Sequence, residues 1–202
     1  KMKKDKELQK LTEKMEKQYI KKLQAEYATA YKQMRNTIYD YIERYAVDGQ
    51  LTRSEMYKYA RYQKLQTQLM SELGKIRQSG QMQTYLTDQY LLNYFYSGYI
   101  METDYQVKLA YTNIPKAKIR QGILTPMTKI SLKNNRTAVM QKIQSSVIQS
   151  IAQGEGIGGL SQRIKNDLEK NANDSLRIAR TETTRVQNWA KSESYGHAEK
   201  MG

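Results

Sequence analysis

Apolar side chains recur every three or four positions along most of this chain, which is the spacing of one face of an α-helix. The first run begins at Leu8 and holds this period for about ten turns. Such a run is far too long for a strand and predicts one long first helix. Its apolar positions are Leu11, Met15, Tyr19, Leu23, Tyr27, Tyr31, Met34, Ile38, Ile42 and Tyr45.

The boundary after this helix carries several independent signals. Gly49 offers a residue free to take positive φ, which suits a helix end. Thr52 and Glu55 have the spacing of a capping box, and Leu51 and Met56 have the spacing of a hydrophobic staple. A second helix should therefore start at this point.

The second periodic run extends from Met56 to Ile76 and stops near residues 79–80, where a serine and a glycine follow each other. Because the connection to the first helix is short, we expect the two to form an antiparallel hairpin. A third helix is predicted from about Met82 toward Leu109. The tyrosines around Phe95 should form its seam against the first hairpin, since no basic residue accompanies them as in a base-stacking site.

The composition changes in the middle of the chain. The stretch from Tyr105 to Gly154 contains no acidic residue and holds both prolines, Pro115 and Pro126. It begins as a connector with short helical pieces and continues as a long helix from about Asn135. We name the stretch from Tyr105 to Gly154 the acid-free segment. Its eight cations are candidate nucleic-acid contacts: Lys108, Lys116, Lys118, Arg120, Lys129, Lys133, Arg136 and Lys142.

A boundary is therefore predicted within this connector. Residues 1–112 would form a module of long helices, made of the hairpin and the third helix. Residues 113–202 would form a smaller, compact and basic helical module. The predicted fold class is all-α, with long antiparallel helices followed by that smaller module.

Four glycines cluster between Gly154 and Gly159. A phosphate-binding loop would need a strand before it and a Gly-Lys-Ser/Thr ending, and this stretch has neither. We therefore expect a helix that stops and restarts. A short helix should follow from Leu160 to Leu168 and pass through residues 171–173 into a further helix that Asp174 caps.

This last helix has a clear apolar face, formed by Leu176, Ala179, Thr183, Val186 and Ala190. Arg180 and Glu182 project about 200° apart on it, so they cannot pair with each other. They would either bind neighbouring helices or contact another subunit. The candidate partner-binding or structural residues are Arg180, Thr181, Glu182 and Arg185.

Net charge is +14 with a pI near 9.7, which favours association with polyanions. Lysines outnumber acids in the first 22 residues, so the start of the first helix is either a solvated charged end or a first contact for a polyanion. The mean hydropathy of −0.84 is typical of long, partly exposed helices. No apolar run reaches the length of a membrane span.

The residues needed for several chemistries are missing. There is no cysteine and only one histidine, His197, so a cysteine-based zinc site and a histidine-rich metal site are excluded. Neither a catalytic triad nor a carboxylate pair stands out. We therefore predict no enzymatic activity and no cofactor.

The C-terminal sequence, IARTETTRVQNWAKSESYGHAEKMG, resembles the signature of the phage head morphogenesis family, the minor head proteins of Mu-like and related tailed phages. That signature has an Arg-Thr-Glu core on a helix and ends near a Lys-x-Gly, here at Lys200 to Gly202. The stretch from Ile148 to Leu168 resembles the helix, glycine turn and helix that the family places upstream. Residues 19–61 are similar to minor capsid proteins of phages of Gram-positive bacteria.

The resemblance implies a minor head protein of a tailed phage or prophage. Such a protein would be a virion component in the head interior or at the portal vertex, assembled in the bacterial cytoplasm. Its partners would be portal and capsid proteins, with double-stranded DNA as a further partner during packaging or ejection. Family members continue past the Lys-x-Gly into a further motif-bearing stretch, so we expect this sequence to be part of a longer chain.

Two other functions fit the same residues. The chain could be an N-terminal delivery or scaffold module for an enzymatic domain beyond Gly202. It could also be a generic basic helical protein that binds nucleic acid.

Overall fold

The computed structural model describes residues 2–106 and 116–201. The fold of these residues is all-α, as predicted, and no β-strand occurs among them. A single 3₁₀ turn, Lys58–Ala60, separates the second and third helices. The α-helices are α1 (Met2–Tyr45), α2 (Arg53–Tyr57), α3 (Arg61–Gly74), α4 (Gln78–Tyr105), α5 (Lys116–Gly122), α6 (Pro126–Gln153) and α7 (Ile157–Met201).

The chain forms two compact units, and each draws on both halves of the sequence. The first unit comprises Lys1–Lys22, Gln78–Ser131 and Leu176–Gly202. The second comprises Leu23–Arg77 and Leu132–Ser175. The predicted boundary at 112/113 falls outside the described residues and stays a prediction.

The predicted antiparallel hairpin is confirmed in the second unit. At one end, the guanidinium of Arg61 at the start of α3 lies 4.0 Å from the ring centre of Tyr45 at the end of α1. At the other end, the backbone N–H of Arg77 donates to the carboxylate of Glu26 across 2.7 Å. Contacts at both ends in this order require α1 and α3 to run in opposite directions.

The turn before α2 has the predicted cap but lacks half of the predicted capping box. Gly49 has φ of +76°, and the hydroxyl of Thr52 accepts a hydrogen bond from the backbone N–H of Glu55 at 3.4 Å. The Glu55 carboxylate does not return to Thr52, because it is bound by Lys58 and, at 2.8 Å, by Arg61. The expected reciprocal hydrogen bond was therefore wrong.

The prediction of one continuous second helix was also wrong. Tyr59 and Ala60 have φ of +51° and +54°, a left-handed conformation that ends the helical hydrogen-bond ladder. Arg61 restarts the helix, and its guanidinium binds both the carboxylate and the carbonyl oxygen of Glu55. These hydrogen bonds, with the Tyr45 ring below the same guanidinium, offset the backbone strain.

The helix stop predicted near residues 79–80 lies earlier in the structure. α3 ends at Gly74, and α4 already begins at Gln78. The hydrogen bond from the backbone of Arg77 to Glu26 fixes the chain between these two helices. The link is therefore held by this contact rather than by the serine and glycine at 79–80.

α6 begins nine residues before the predicted start at Asn135. The hydroxyl of Thr125 accepts a hydrogen bond from the backbone N–H of Thr128 at 3.1 Å, which makes Thr125 the N-cap. Pro126 occupies the first helical position, where its missing N–H costs nothing and its fixed φ suits the helix.

α7 is one helix of 45 residues, so the predicted handover at 171–173 and the cap at Asp174 were wrong. The amide group of Asn171 is buried and donates to the side-chain and backbone oxygens of Asn135 on α6, at 2.7 and 2.9 Å. Its oxygen accepts a hydrogen bond from the hydroxyl of Tyr27 on α1. Because these partners satisfy its polar groups, Asn171 can stay inside a helix.

The glycine cluster does stop one helix and start another, as predicted. Gly154 ends α6 with φ of +63°, and a Cβ at this position would lie 2.9 Å from the side-chain oxygen of Gln50. α7 then begins at Ile157.

Replacing Gly154 with alanine should lower the free energy of unfolding by about 1–2 kcal/mol, because alanine is strained in the left-handed region. Gly196 in α7 is the matched control, since it is helical and no atom lies within 4 Å of an added Cβ. Alanine at Gly196 should stabilise by about 0.5–1 kcal/mol. Urea unfolding of both variants measures the difference, and effects of the same sign would contradict this turn geometry.

A pH effect is expected at the same turn. The guanidinium of Arg163 binds the Glu155 carboxylate at 2.6 Å, and the hydroxyl of Ser150 donates to it at 2.7 Å. These hydrogen bonds, above all those from Arg163, lower the pKa of Glu155 from its ordinary 4.5 to about 2. A carboxylate with a lowered folded-state pKa stabilises fully above pH 4.5, and this stabilisation disappears as pH falls toward 2.

Thermal unfolding between pH 5.5 and 2, in about half-unit steps, tests this linkage with Glu155→Gln as the comparison. The melting temperature of the original chain should exceed that of the variant at the upper end and converge with it at the lower end. A constant difference across the range would show that the carboxylate charge does not contribute.

Candidate functional site

The predicted apolar face of the C-terminal helix is confirmed. Leu176, Ala179, Thr183, Val186 and Ala190 are all buried in the first unit. Because this face is occupied by packing, α7 presents to solvent only the residues between these positions.

Arg180 and Glu182 have different partners, as their angular separation predicts. The Nε atom of Arg180 lies 2.8 Å from a carboxylate oxygen of Glu16 on α1. Arg180 is 63% exposed, so this ion pair contributes at most about 1 kcal/mol to stability. Its guanidinium remains accessible to solvent.

Glu182 and Arg185 form a local pair that also caps another helix. Nε of Arg185 binds the Glu182 carboxylate at 2.8 Å. One Nη atom of Arg185 donates at 2.6 Å to the carbonyl oxygen of Ile123, directly after the last residue of α5. Cations stabilise helix C-termini because they compensate unpaired carbonyl groups. Arg185 is thus a structural anchor in this unit.

The remaining signature residue, Thr181, is exposed, and its hydroxyl donates to the carbonyl oxygen of Arg177 at 3.2 Å. Thr183, which sequence reasoning treated only as part of the apolar face, donates instead to the hydroxyl of Tyr85 at 3.1 Å. Of the four assigned signature residues, Arg180 ties α7 to α1 and Arg185 ties it to the end of α5, while Thr181 and Glu182 bond within α7.

Part of the aromatic cluster of α4 packs in a seam, as predicted, and part of it is exposed. Tyr90 and Tyr94 are buried and stacked, and the ring of Trp189 on α7 lies 4.6 Å from that of Tyr90. Burial raises the pKa of Tyr90 to about 12. The hydroxyl of Tyr96 donates to the backbone oxygen of Lys4 in α1 at 3.0 Å. Phe95 and Tyr99 of the same cluster are 42% and 47% exposed.

The cations of the acid-free segment are exposed wherever the structure describes their side chains. Lys108 and the side chain of Lys118 lie outside the described residues. Lys116 lies 3.4 Å from the carboxylate of Asp88, and Arg120 donates to the hydroxyl of Thr84 at 3.4 Å. The first unit contains Lys116, Arg120 and Lys129, and the second contains Lys133, Arg136 and Lys142.

One exposed surface was missed by sequence reasoning. Tyr57 and Tyr59, beside the break between α2 and α3, are 58% and 81% exposed. The guanidinium of Arg53 lies 5.8 Å from the ring centre of Tyr57. Tyrosine and arginine are the residue types that dominate protein interfaces. No local signal marks this surface, because periodicity alone predicts an uninterrupted helix there.

In the part of the chain that the structure describes, no group of three or more His, Asp or Glu side chains is arranged to hold a metal ion. None of its helices combines the length and apolar character needed to cross a membrane.

Comparison with known proteins places these features in context. The chain is 26% identical over 188 residues to "Minor head protein GP7" of Bacillus phage SPP1. The aligned region covers 90% of this chain and 61% of that protein, so the chain spans about three fifths of the relative's length. No protein-family profile matches the chain, and no solved structure does.

The similarity extends across nearly the whole chain, from the long N-terminal helix to the signature helix. It confirms the resemblance to phage minor head proteins that the sequence motifs indicate. The chain is thus distantly similar to one phage minor head protein along most of its length.

Proposed function

We propose that this chain is a structural component of a phage head, acting in head assembly and in DNA packaging or ejection. The observation that carries the proposal is the similarity to a minor head protein along 90% of the chain. The protein would be assembled in the bacterial cytoplasm and retained in the virion, in the head interior or at the portal vertex.

The described contacts support a role in assembly rather than in catalysis. Arg180 binds Glu16 on α1, Arg185 binds the carbonyl oxygen of Ile123 after α5, and Glu182 pairs with Arg185 on α7 itself. On this proposal these contacts hold the first unit in one conformation, and an exposed surface of the second unit is the one that a partner protein recognises.

The protein partner would be the portal or the major capsid protein of the same particle. We assign the exposed surface of Tyr57, Tyr59 and Arg53 to this contact, because aromatic side chains desolvate at little entropic cost. The left-handed Tyr59 is exposed at the cost of backbone strain, and its ring centre lies 5.5 Å from the guanidinium of Arg61. A contact built on such packing should resist salt.

Co-sedimentation of the full chain with its cognate portal, at low and moderate salt, tests this contact. We expect complex formation at both salt concentrations, and a clear loss for the variant Tyr57→Ser/Tyr59→Ser. Tyr105→Ser is the matched control, because it changes a tyrosine with the same exposure, 58%, at the end of α4. Absence of a complex with both portal and capsid protein would contradict the proposal.

We also propose that the chain contacts double-stranded DNA through its exposed cations, and the acid-free segment supplies one candidate set of them. If all eight cations of that segment reached phosphates, the salt slope would be about −7, and binding would collapse between low and moderate salt. If the chain binds DNA but neither head protein, the alternative of a generic nucleic-acid-binding protein would replace the head function.

A further inference from the structure

A line of lysines follows the outer face of α1 in the first unit. They recur at steps of three or four residues and fall within a sector of about 80° around the helix, along about 22 Å of its axis. All five are exposed, while Leu8 and Tyr19 on the same helix are buried. We call this set the α1 lysine stripe: Lys6, Lys10, Lys14, Lys17 and Lys21.

The acidic residues of the same helix segment are engaged elsewhere. Glu16 pairs with Arg180 at 2.8 Å, and Glu7 accepts a hydrogen bond from the hydroxyl of Tyr96 at 3.0 Å. Glu13, at the edge of the stripe, accepts a hydrogen bond from its neighbour Gln9 at 3.0 Å. Glu16 is thus paired with a cation, while the partners of Glu7 and Glu13 in these contacts are neutral groups.

The stripe lysines themselves have no carboxylate partner among the described residues. Lys4, by contrast, lies 2.6 Å from the carboxylate of Asp104. Like charges at helical spacings of three and four destabilise a helix, so the stripe carries a repulsive cost. An external polyanion would remove that cost.

We propose that the α1 lysine stripe is a binding site for the phosphate backbone of double-stranded DNA. This inference rests on the proposed DNA contact and relocates its main site. A straight, rigid line of point charges matches a duplex, which presents about one charge per 1.7 Å of axis. Single-stranded nucleic acid is instead bound through aromatic stacking, and the stripe contains no aromatic residue.

The geometry also sets the mode of binding. The opposite face of α1 is packed against the rest of the unit. The helix therefore cannot insert into a major groove of DNA as a free helix would. The lysines would instead contact the phosphate backbone of the DNA. An ammonium group lacks the planar pair of donors with which arginine recognises a base, so it does not select a base. Binding is therefore independent of DNA sequence.

The test is a titration of fluorescent duplex DNA with the full chain, at several salt concentrations between about 50 and 200 mM. The stripe variant replaces all five lysines with glutamine, which has a similar helix propensity and therefore preserves α1. A lysine-to-arginine variant at the same positions keeps the charge. The matched control removes five charges from the acid-free segment by changing Lys116, Arg120, Lys129, Lys133 and Lys142 to glutamine.

We expect the glutamine variant of the stripe to lose about 4.5 units of salt slope, at about 0.9 per phosphate contact. The arginine variant should bind as the original chain does, and the acid-free control should keep most of its affinity. An unchanged slope in the stripe variant would overturn the inference while leaving DNA binding intact. No binding by the original chain at low salt would overturn the proposed DNA contact itself. Circular dichroism verifies that each variant remains helical.

Discussion

Replacing Tyr85 with alanine should lower the free energy of unfolding by about 3–5 kcal/mol, the largest effect that we expect from a single substitution. Tyr85 on α4 is buried and stacks on Tyr19 of α1, with ring centres 4.6 Å apart and planes 10° from parallel. Its hydroxyl accepts a hydrogen bond from Thr183 on the signature helix. One side chain thus joins three helices of the first unit.

Two control substitutions separate the contributions at Tyr85. Tyr85→Phe keeps the stacked ring and removes only the hydroxyl, so it should cost about 1 kcal/mol. Tyr105→Ala on the same helix, at an exposed position, should change stability by less than about 0.5 kcal/mol. Urea unfolding provides these values. A cost at Tyr85 no larger than at Tyr105 would mean that the signature helix is not held as described.

The second large effect is expected at Asn171. Asn171→Ala should destabilise the chain by about 2–4 kcal/mol, because it removes three hydrogen bonds to buried or half-buried groups on two other helices. The carbonyl and amide oxygens of Asn135 lose the two hydrogen bonds from the Asn171 amide, at 2.9 and 2.7 Å. The hydroxyl of Tyr27 loses its acceptor and keeps only a longer contact of 3.3 Å with Ser175.

Asn173 is the matched control for this prediction, since it lies two residues away on the same helix and is exposed. Asn173→Ala should change the free energy of unfolding by less than about 0.5 kcal/mol. Equal costs at the two positions would show that the buried hydrogen bonds contribute little. A double mutant with Tyr27→Phe should cost less than the two single changes together, because both remove the same hydrogen bond.

Local sequence was sufficient for the features that depend on neighbouring residues. The period of the apolar positions predicted the long helices, and Thr52 and Gly49 marked a real boundary. The glycine cluster was correctly interpreted as a helix stop and restart, because a phosphate loop needs a different context. The angle between Arg180 and Glu182 also predicted correctly that they do not pair.

The failures share one physical cause, which is a partner distant in the sequence. Asn171 was interpreted as a helix breaker, since asparagine competes for backbone hydrogen bonds. Its partners Asn135 and Tyr27 lie 36 and 144 positions away, and only the folded chain brings them to it. The cap that Arg185 provides at Ile123 likewise joins residues 62 positions apart. Periodicity contains no information about either contact.

The helix break at Tyr59 also depends on contacts that the local sequence does not reveal. Left-handed backbone is expected at glycine, and neither Tyr59 nor Ala60 is one. The conformation is stabilised by the hydrogen bonds of Arg61 with Glu55 and by the ring of Tyr45. The exposed aromatic surface that results could therefore be found only in the structure.

The central claim, that this chain is a component of a phage head, is tested most directly by quantitative mass spectrometry of purified heads. Heads of the phage or prophage that encodes the chain would be isolated before and after DNA packaging, then washed at moderate salt. We predict that its peptides co-purify with portal and capsid protein at a fixed ratio in both preparations. Heads that contain portal and capsid protein but none of this chain would contradict the account.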